Sequence, residues 1–267
     1  MHIDQKCHEN VWILSGTADG PLLANKLLGL NYVVFVSVVS YRASQAYENN
    51  NKLHIFTGNL RNEEEIEDFA TINQIHHVID ATHPFAINIS KKLIKVCEKV
   101  SLPLVRFERN INKQINKRFE IISNLKGINN VELKDKNLLL AIGSKSLDET
   151  ARFYMDLGVN VFARILSTPD SVSRGFASSI ANSNLAILKP SRLISNNLEM
   201  DICKHWSIDY ILCRDSGGYS QKIWERISLA SEIKLFLSKR PIYSDHILCC
   251  ATYDDLVNFL KSQKSFS

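Results

Sequence analysis

The chain has 267 residues, 45% of them hydrophobic and 22% charged, with a formal net charge of +4. That balance fits one large or two modest globular domains and excludes a disordered or collagen-like chain. The longest apolar stretches, residues 32–36 and 138–142, are strand-sized, and residues 1–10 lack an apolar signal core, so neither a membrane span nor a secretory leader is expected.

Six cysteines, none in a Cys-x-x-Cys pair, read as reduced thiols of a cytoplasmic protein rather than a disulfide frame or zinc site. His76-His77 and Cys249-Cys250 are adjacent in sequence, so on a strand each pair splits between opposite faces, and no metal site is expected. The mild, scattered positive charge suits an anionic small molecule better than nucleic acid.

Strands and helices alternate along the chain. Residues 11–14 form a first strand, followed by the turn Ser15-Gly16-Thr17-Ala18-Asp19-Gly20 and a helix with Pro21 near its start. Residues 32–40 and 53–57 read as the second and third strands, the second β-branched enough to be covered on both faces. Asn62 with Glu65 reads as the cap of a helix running to about residue 72. A fourth strand, 77–81, leads through Thr82-His83-Pro84 into a helix over 85–100, with Pro84 at its first position. Residues 102–107 give a fifth strand.

From 108 to 136 the apolar period weakens and Asn and Lys accumulate, which places the domain junction there. Strands are expected again at 138–142, 159–165, 185–188, 208–213 and 233–237. Ser146 and Glu149 would make a capping box for the helix after the first of these, and a last helix covers 253–260. The expectation is an α/β protein of two Rossmann-like, doubly wound domains with parallel sheets, 1–115 and 116–267, and an inter-domain cleft.

In such sheets ligands gather at the carboxyl ends of the strands, and unusual residues fall there. Gly16 permits a close backbone approach, and helix-start N–H groups beside it can hold a pyrophosphate. Thr82 and His83 offer donors at a helix entrance, where an anion is favoured. Gly143-Ser144-Lys145 is a second, smaller anion-binding turn, and Arg214-Asp215-Ser216-Gly217-Gly218 looks like a backbone cradle. Arg106, Arg109 and Arg164 stand at or near strand ends and together could line the cleft. Arg42, beyond the second strand, could meet a 2′-phosphate, although NADPH and NADH both stay open. No Gly-x-Ser-x-Gly, Walker lysine, His-Glu-x-x-His or Tyr-x-x-x-Lys pattern occurs.

These motifs together resemble the precorrin-6A reductase (cobalt-precorrin-6A reductase) family of cobalamin biosynthesis. The strongest match is Asp80-Ala81-Thr82-His83-Pro84-Phe85-Ala86. It is supported in order by Trp12-Ile13-Leu14-Ser15-Gly16-Thr17, Pro103 to Arg109, Ile142-Gly143-Ser144-Lys145, Val161 to Leu166, Asp215-Ser216-Gly217-Gly218 and Arg240-Pro241. Ser15 stands where the family usually has a glycine, Arg214 where a lysine is common, and Lys189-Pro190-Ser191 where Gly-Pro-Phe is usual.

The resemblance implies hydride transfer from NADPH or NADH to a macrocycle double bond, with cofactor and tetrapyrrole meeting in the cleft. It implies Thr82 and His83 at the reaction centre, where His83 would position substrate or donate the proton. Gly16, Thr17, Arg42, Gly143 and Ser144 would serve the cofactor. Arg106, Lys145, Arg164, Arg214, Asp215, Ser216 and Gly217 would serve the substrate and its carboxylates. The alternatives are a non-catalytic NAD(P) sensor and an atypical short-chain-type dehydrogenase, against which the missing Tyr-x-x-x-Lys weighs. Whether the substrate carries cobalt, and the oligomeric state, are not legible.

Overall fold

The structure is a computed structural model, which describes residues 9–109, 117–129, 132–189, 197–241 and 247–263. Two compact units emerge, Met1–Asn110 with Pro241–Ser267, and Ile111–Arg240.

The first unit holds β1 (Asn10–Ser15), α1 (Asp19–Gly29), β2 (Val33–Val38), α2 (Tyr41–Ser44), β3 (Leu53–Thr57), α3 (Glu63–Ile72), β4 (His77–Ala81), α4 (Ile87–Lys99) and β5 (Leu104–Phe107). The second holds β6 (Phe119–Ile122), β7 (Asn137–Ala141), α5 (Leu147–Asp156), β8 (Asn160–Leu166), α6 (Pro169–Phe176), β9 (Leu185–Leu188), α7 (Asn197–His205), β10 (Tyr210–Arg214), α8 (Tyr219–Ala230) and β11 (Lys234–Ser238). β12 (Leu248–Cys250) and α9 (Tyr253–Gln263) return to the first unit.

Among the described residues each unit is built on a six-stranded sheet, in the order β12-β5-β4-β1-β2-β3 in one and β6-β11-β10-β7-β8-β9 in the other. Every paired strand runs parallel. The two orders are the same doubly wound pattern, and each reverses direction beside its first central strand, at β1/β4 and at β7/β10. Those switch points are where such sheets open a crevice for ligands.

The strands are apolar on both faces because both faces are covered. In β1, Val11 and Ile13 pack with Leu23 and Leu27 of α1 and with Leu256 and Leu260 of α9. Trp12 and Leu14 point the other way, onto Ile66 of α3 and Leu93 and Val96 of α4. Trp12 is fully buried, stacks on Phe69 at 4.2 Å, and donates its indole N–H to Ser37 Oγ at 2.9 Å. Full burial of one such side chain contributes about 1.5–3 kcal/mol. In β7, Leu138 and Leu140 meet Leu147, Ala151 and Tyr154 of α5. Leu139 faces Ile223, Trp224 and Ile227 of α8.

The strand-helix alternation matches the sequence expectation, but the division of the chain differs from 1–115 and 116–267. β6 follows β5 in sequence yet pairs with β11, and β12 follows β11 yet pairs with β5. The first sheet thus takes its sixth strand from beyond the whole run of the second, which is the unbroken series β6 to β11. The cause is burial: Cys250, Leu256 and Leu260 complete the core around Val105 and Phe107, and Tyr253 stacks on Phe107 at 5.2 Å.

Two helix starts also differ. Asn62 caps α3 as expected, accepting from Glu65 N at 2.9 Å. The Ser146–Glu149 capping box does not form: a 3-10 turn, Ser144–Ser146, precedes α5, Ser146 makes no capping bond, and its Oγ accepts from Arg214 instead. Pro84 lies in a turn before α4, which begins only at Ile87 after Ala86.

Candidate functional site

Two crevice-end constellations emerge, one per unit. In the first, β1 and β4 are neighbours with Ser15 opposite Ala81, so the loops that follow them lie side by side. Gly16 N donates to Ala81 O at 3.3 Å, and Thr17 Oγ donates to Asp19 Oδ2 at 3.2 Å. A Cβ on Gly16 would sit 3.0 Å from His83 N and 3.3 Å from Thr82 Cα. The glycine is therefore what lets the first loop approach the Thr82–His83 corner. Behind it, the N-cap of α1 is Ala18, and the first helical N–H, that of Asp19, donates to Thr17 Oγ at 3.2 Å. Asp19, in the first turn, pairs with Arg109.

Beneath the corner lies a buried polar network that the sequence reading did not anticipate. Asp80, inside β4, takes Thr82 N at 3.0 Å and Thr82 Oγ at 2.6 Å on one oxygen, Oδ1. Its other oxygen takes Arg106 Nη1 at 2.6 Å. The same Nη1 reaches Ser90 Oγ at 3.1 Å, and Ser90 Oγ lies 3.3 Å from Thr82 Oγ. Arg106 Nε donates to Glu108 at 2.7 Å. Arg106 is fully buried, so the expectation that it binds substrate gives way to a structural role: it neutralises Asp80, which fixes Thr82. The sheet register pairs Asp80 with Arg106 directly. One charged residue inside each of two apolar strands was the signal available in the sequence.

His83 is half-buried, and its Nδ1 accepts from Phe85 N at 3.2 Å. Arg42 is exposed on α2, whose N-cap Ser40 accepts from Ala43 N at 3.3 Å. Arg42 thus stands beyond the carboxyl end of β2, the expected place for a group that meets the adenosine side of a dinucleotide.

In the second unit β7 and β10 are neighbours, so their loops also meet. Gly143 has φ +79°, a conformation suited to glycine. A Cβ there would sit 3.8 Å from Arg214 Nη1. Arg214 Nη2 donates to Ser146 Oγ at 3.0 Å, and burial pushes its guanidinium down from the ordinary arginine value. Ser144 Oγ lies 3.3 Å from Ser171 Oγ, and Lys145 is exposed. Gly217, φ +66°, donates its N–H to Gln221 Oε1 at 2.6 Å, and Gly218 N reaches Ser216 Oγ at 3.4 Å.

The structure thus brings together Gly16, Thr17, Thr82 and His83 in one unit, and Gly143, Ser144, Lys145, Arg214, Ser216 and Gly217 in the other. It does not bring Asp215 or Arg164 to the ligand side. Asp215 is 1% exposed and accepts from Gln221 Nε2 at 3.1 Å, so its carboxylate braces α8. Arg164 lies within β8 beside Glu199 of α7 at 3.7 Å, and burial pushes its guanidinium down while Glu199 pushes it up. Both were expected to bind substrate; both are turned into their own unit. Arg240, beside the candidate site, was not among the expected site residues. It is buried, donates Nε to Asp215 O at 2.7 Å, and packs against the Cα side of Gly217. Its place in Arg240-Pro241 was the available signal. Pro190 and Ser191 lie outside the described residues.

Comparison with known proteins points in one direction. The model of the precorrin-6x reductase CbiJ/CobK family matches residues 10–261. A cobalt-precorrin-6A reductase from Methanocaldococcus jannaschii is 27% identical over 268 residues, covering 96% of this chain and 99% of that relative. One from Synechocystis sp. is 26% identical over 235 residues, covering 86% of this chain and 88% of the relative. A solved structure described as CobK precorrin-6A reductase superposes with a TM-score of 0.75 at 19% identity, covering 95% of this chain and 96% of that one, a likeness of fold.

Proposed function

This chain belongs to the precorrin-6x reductase family CbiJ/CobK, and from that membership we propose that it reduces a double bond of precorrin-6A or cobalt-precorrin-6A. A reduced nicotinamide, when bound, supplies the hydride; the chain supplies binding, orientation and electrostatics. The observation that carries the reading is the juxtaposition at the β1/β4 switch point: the Gly16 turn lies against the Thr82–His83 corner.

The residues fit a dinucleotide there. Gly16 leaves open the space that a Cβ would fill, and Thr17 sits at the helix entrance. Arg42 beyond β2 favours a 2′-phosphate, hence NADPH over NADH. Thr82, its hydroxyl fixed by Asp80, and His83 stand at the reaction centre. In the second unit, Lys145 and Arg214 answer the acetate and propionate groups of a tetrapyrrole, with the backbone of Ser216 and Gly217 beside them. The Gly143–Ser144 turn offers a further cradle for an anionic group of cofactor or substrate.

The test is an anaerobic assay with metal-free and cobalt-bearing precorrin-6A, following NADPH and NADH oxidation and the mass of the tetrapyrrole product. Stoichiometric cofactor oxidation with a product two mass units heavier supports the reading. Nucleotide binding without oxidation on either substrate refutes it and leaves a sensor.

A further inference from the structure

The turn between β4 and α4 directs a backbone N–H at its histidine. The Phe85 N–H is directed at His83 Nδ1, with 3.2 Å between the heavy atoms. A ring nitrogen that receives an N–H presents a lone pair, so the single proton of the neutral ring sits on Nε2. The rest of the corner holds that arrangement. Ala86 N donates to His83 O at 2.7 Å, closing the turn immediately before α4. The Phe85 ring lies 5.9 Å from the imidazole at 46°. Thr82 is tied twice to Asp80, and the His83 backbone is wedged against Gly16.

We propose that His83 acts as a neutral hydrogen-bond donor through Nε2, holding a lone-pair acceptor of the tetrapyrrole, and is not the acid of the reaction. This rests on the reductase reading above. Handing over the Nε2 proton would leave an imidazolate. Loading Nδ1 first would break the Phe85 bond and set two N–H groups against each other. In the balanced reaction the reduced nicotinamide gives the hydride to one carbon and a water molecule gives the proton to its neighbour. His83 begins and ends each turnover as the same tautomer, and the Phe85 N–H is its positioning group.

Two measurements decide it. Long-range ¹H–¹⁵N spectra of the histidine-labelled full chain at pH 7, with the His83 signals assigned by their loss in His83→Gln, should show Nδ1 unprotonated and Nε2 protonated. A proton on Nδ1, or a charged ring, overturns the proposal. Steady-state cofactor oxidation with precorrin-6A should then separate three variants. A glutamine amide reaches the place of Nε2, an asparagine amide that of Nδ1. His83→Gln should keep kcat/KM within about tenfold, whereas His83→Asn and His83→Ala should fall by about 100-fold, a loss typical of a well-placed catalytic group. Glutamine carries no titrating proton, so equal losses in all three overturn the donor role. Unchanged turnover in all three overturns it as well, while leaving the reductase reading intact. A wild-type chain that oxidises no cofactor refutes that reading instead, and the spectra still decide the tautomer.

Discussion

Replacing Arg106 by methionine tests the buried network under the candidate site. The guanidinium is fully buried and meets Asp80 at 2.6 Å, Glu108 at 2.7 Å and Ser90 at 3.1 Å. Methionine keeps most of the stem's volume, so the loss is of charge and hydrogen bonds rather than of packing. Asp80 has 4% side-chain exposure and would be left as an uncompensated carboxylate. Removing one partner of such a pair costs about 3–5 kcal/mol. At about 4 °C per kcal/mol for a domain of this size, the melting temperature should fall by about 12–20 °C. Urea titration of the full chain, read by circular dichroism and tryptophan fluorescence, checks the free energy; calorimetry checks the temperature. The second variant, Arg106→Met with Asp80→Asn, removes the stranded charge while leaving an oxygen for Thr82. It should recover at least about 1.5 kcal/mol of the loss, the coupling expected of contacting residues. A single variant that melts within about 3 °C of wild type, or a double variant no better than the single, would show that Arg106 and Asp80 do not depend on each other.

Three further outcomes are expected. Gly16→Ala should raise KM for the nicotinamide about tenfold, which is about 1.4 kcal/mol, with the melting temperature little changed, because its Cβ meets the His83 backbone at 3.0 Å; an unchanged KM would separate this turn from the cofactor. Gly20→Ala would place a Cβ on Ser15 Oγ and the Tyr47 hydroxyl and 2.8 Å from Ser15 Cβ. It should cost about 1–3 kcal/mol by overpacking, and Ser15→Gly in the same chain should restore most of that in a urea titration. Burial pushes the thiols of Cys97 and Cys203 up from 9.0 to about 12, and the Tyr154 phenol up from 10.0 to about 12. The folded state therefore holds these protons to higher pH than the unfolded one, and their contribution is complete below about pH 9 and lost as pH rises toward 12. The urea midpoint should fall from pH 8.5 to 10.5; a flat midpoint would mean that these groups meet water in the folded chain.

How much of this the sequence made visible follows from the range of the forces involved. Continuous apolar strands such as residues 11–14 and 77–81 announce themselves, because a strand covered on both faces needs no partner in sequence to be recognised. Asn62 is similarly local, since a cap is completed within one turn. β6 and β12 were hidden for the opposite reason: Phe119–Ile122 sits in an Asn- and Lys-rich stretch, and Leu248–Cys250 is three residues long. Both become strands because a sheet edge is waiting for them. The glycine turns and the Thr82–His83 corner were legible as a candidate site because strand ends collect ligands. The burial of Arg106, Arg164 and Asp215 was not, since a charge read alone looks exposed until the residue opposite it is known. Ser146 shows the same limit, having the right spacing for a capping box but a half-buried arginine that claims its hydroxyl.

The return of β12 to the first sheet also orders events during synthesis. The segment that finishes the first sheet is made only after the second, so the rim of β5 stays unprotected while the whole second sheet is being made. A nascent chain halted near Arg240 would carry that rim as an open invitation to pair with another copy. Removing β12 and α9 should therefore yield aggregates rather than a smaller working protein, and the first unit, unlike Ile111–Arg240, cannot be cut out as one unbroken stretch that retains all six strands of its sheet.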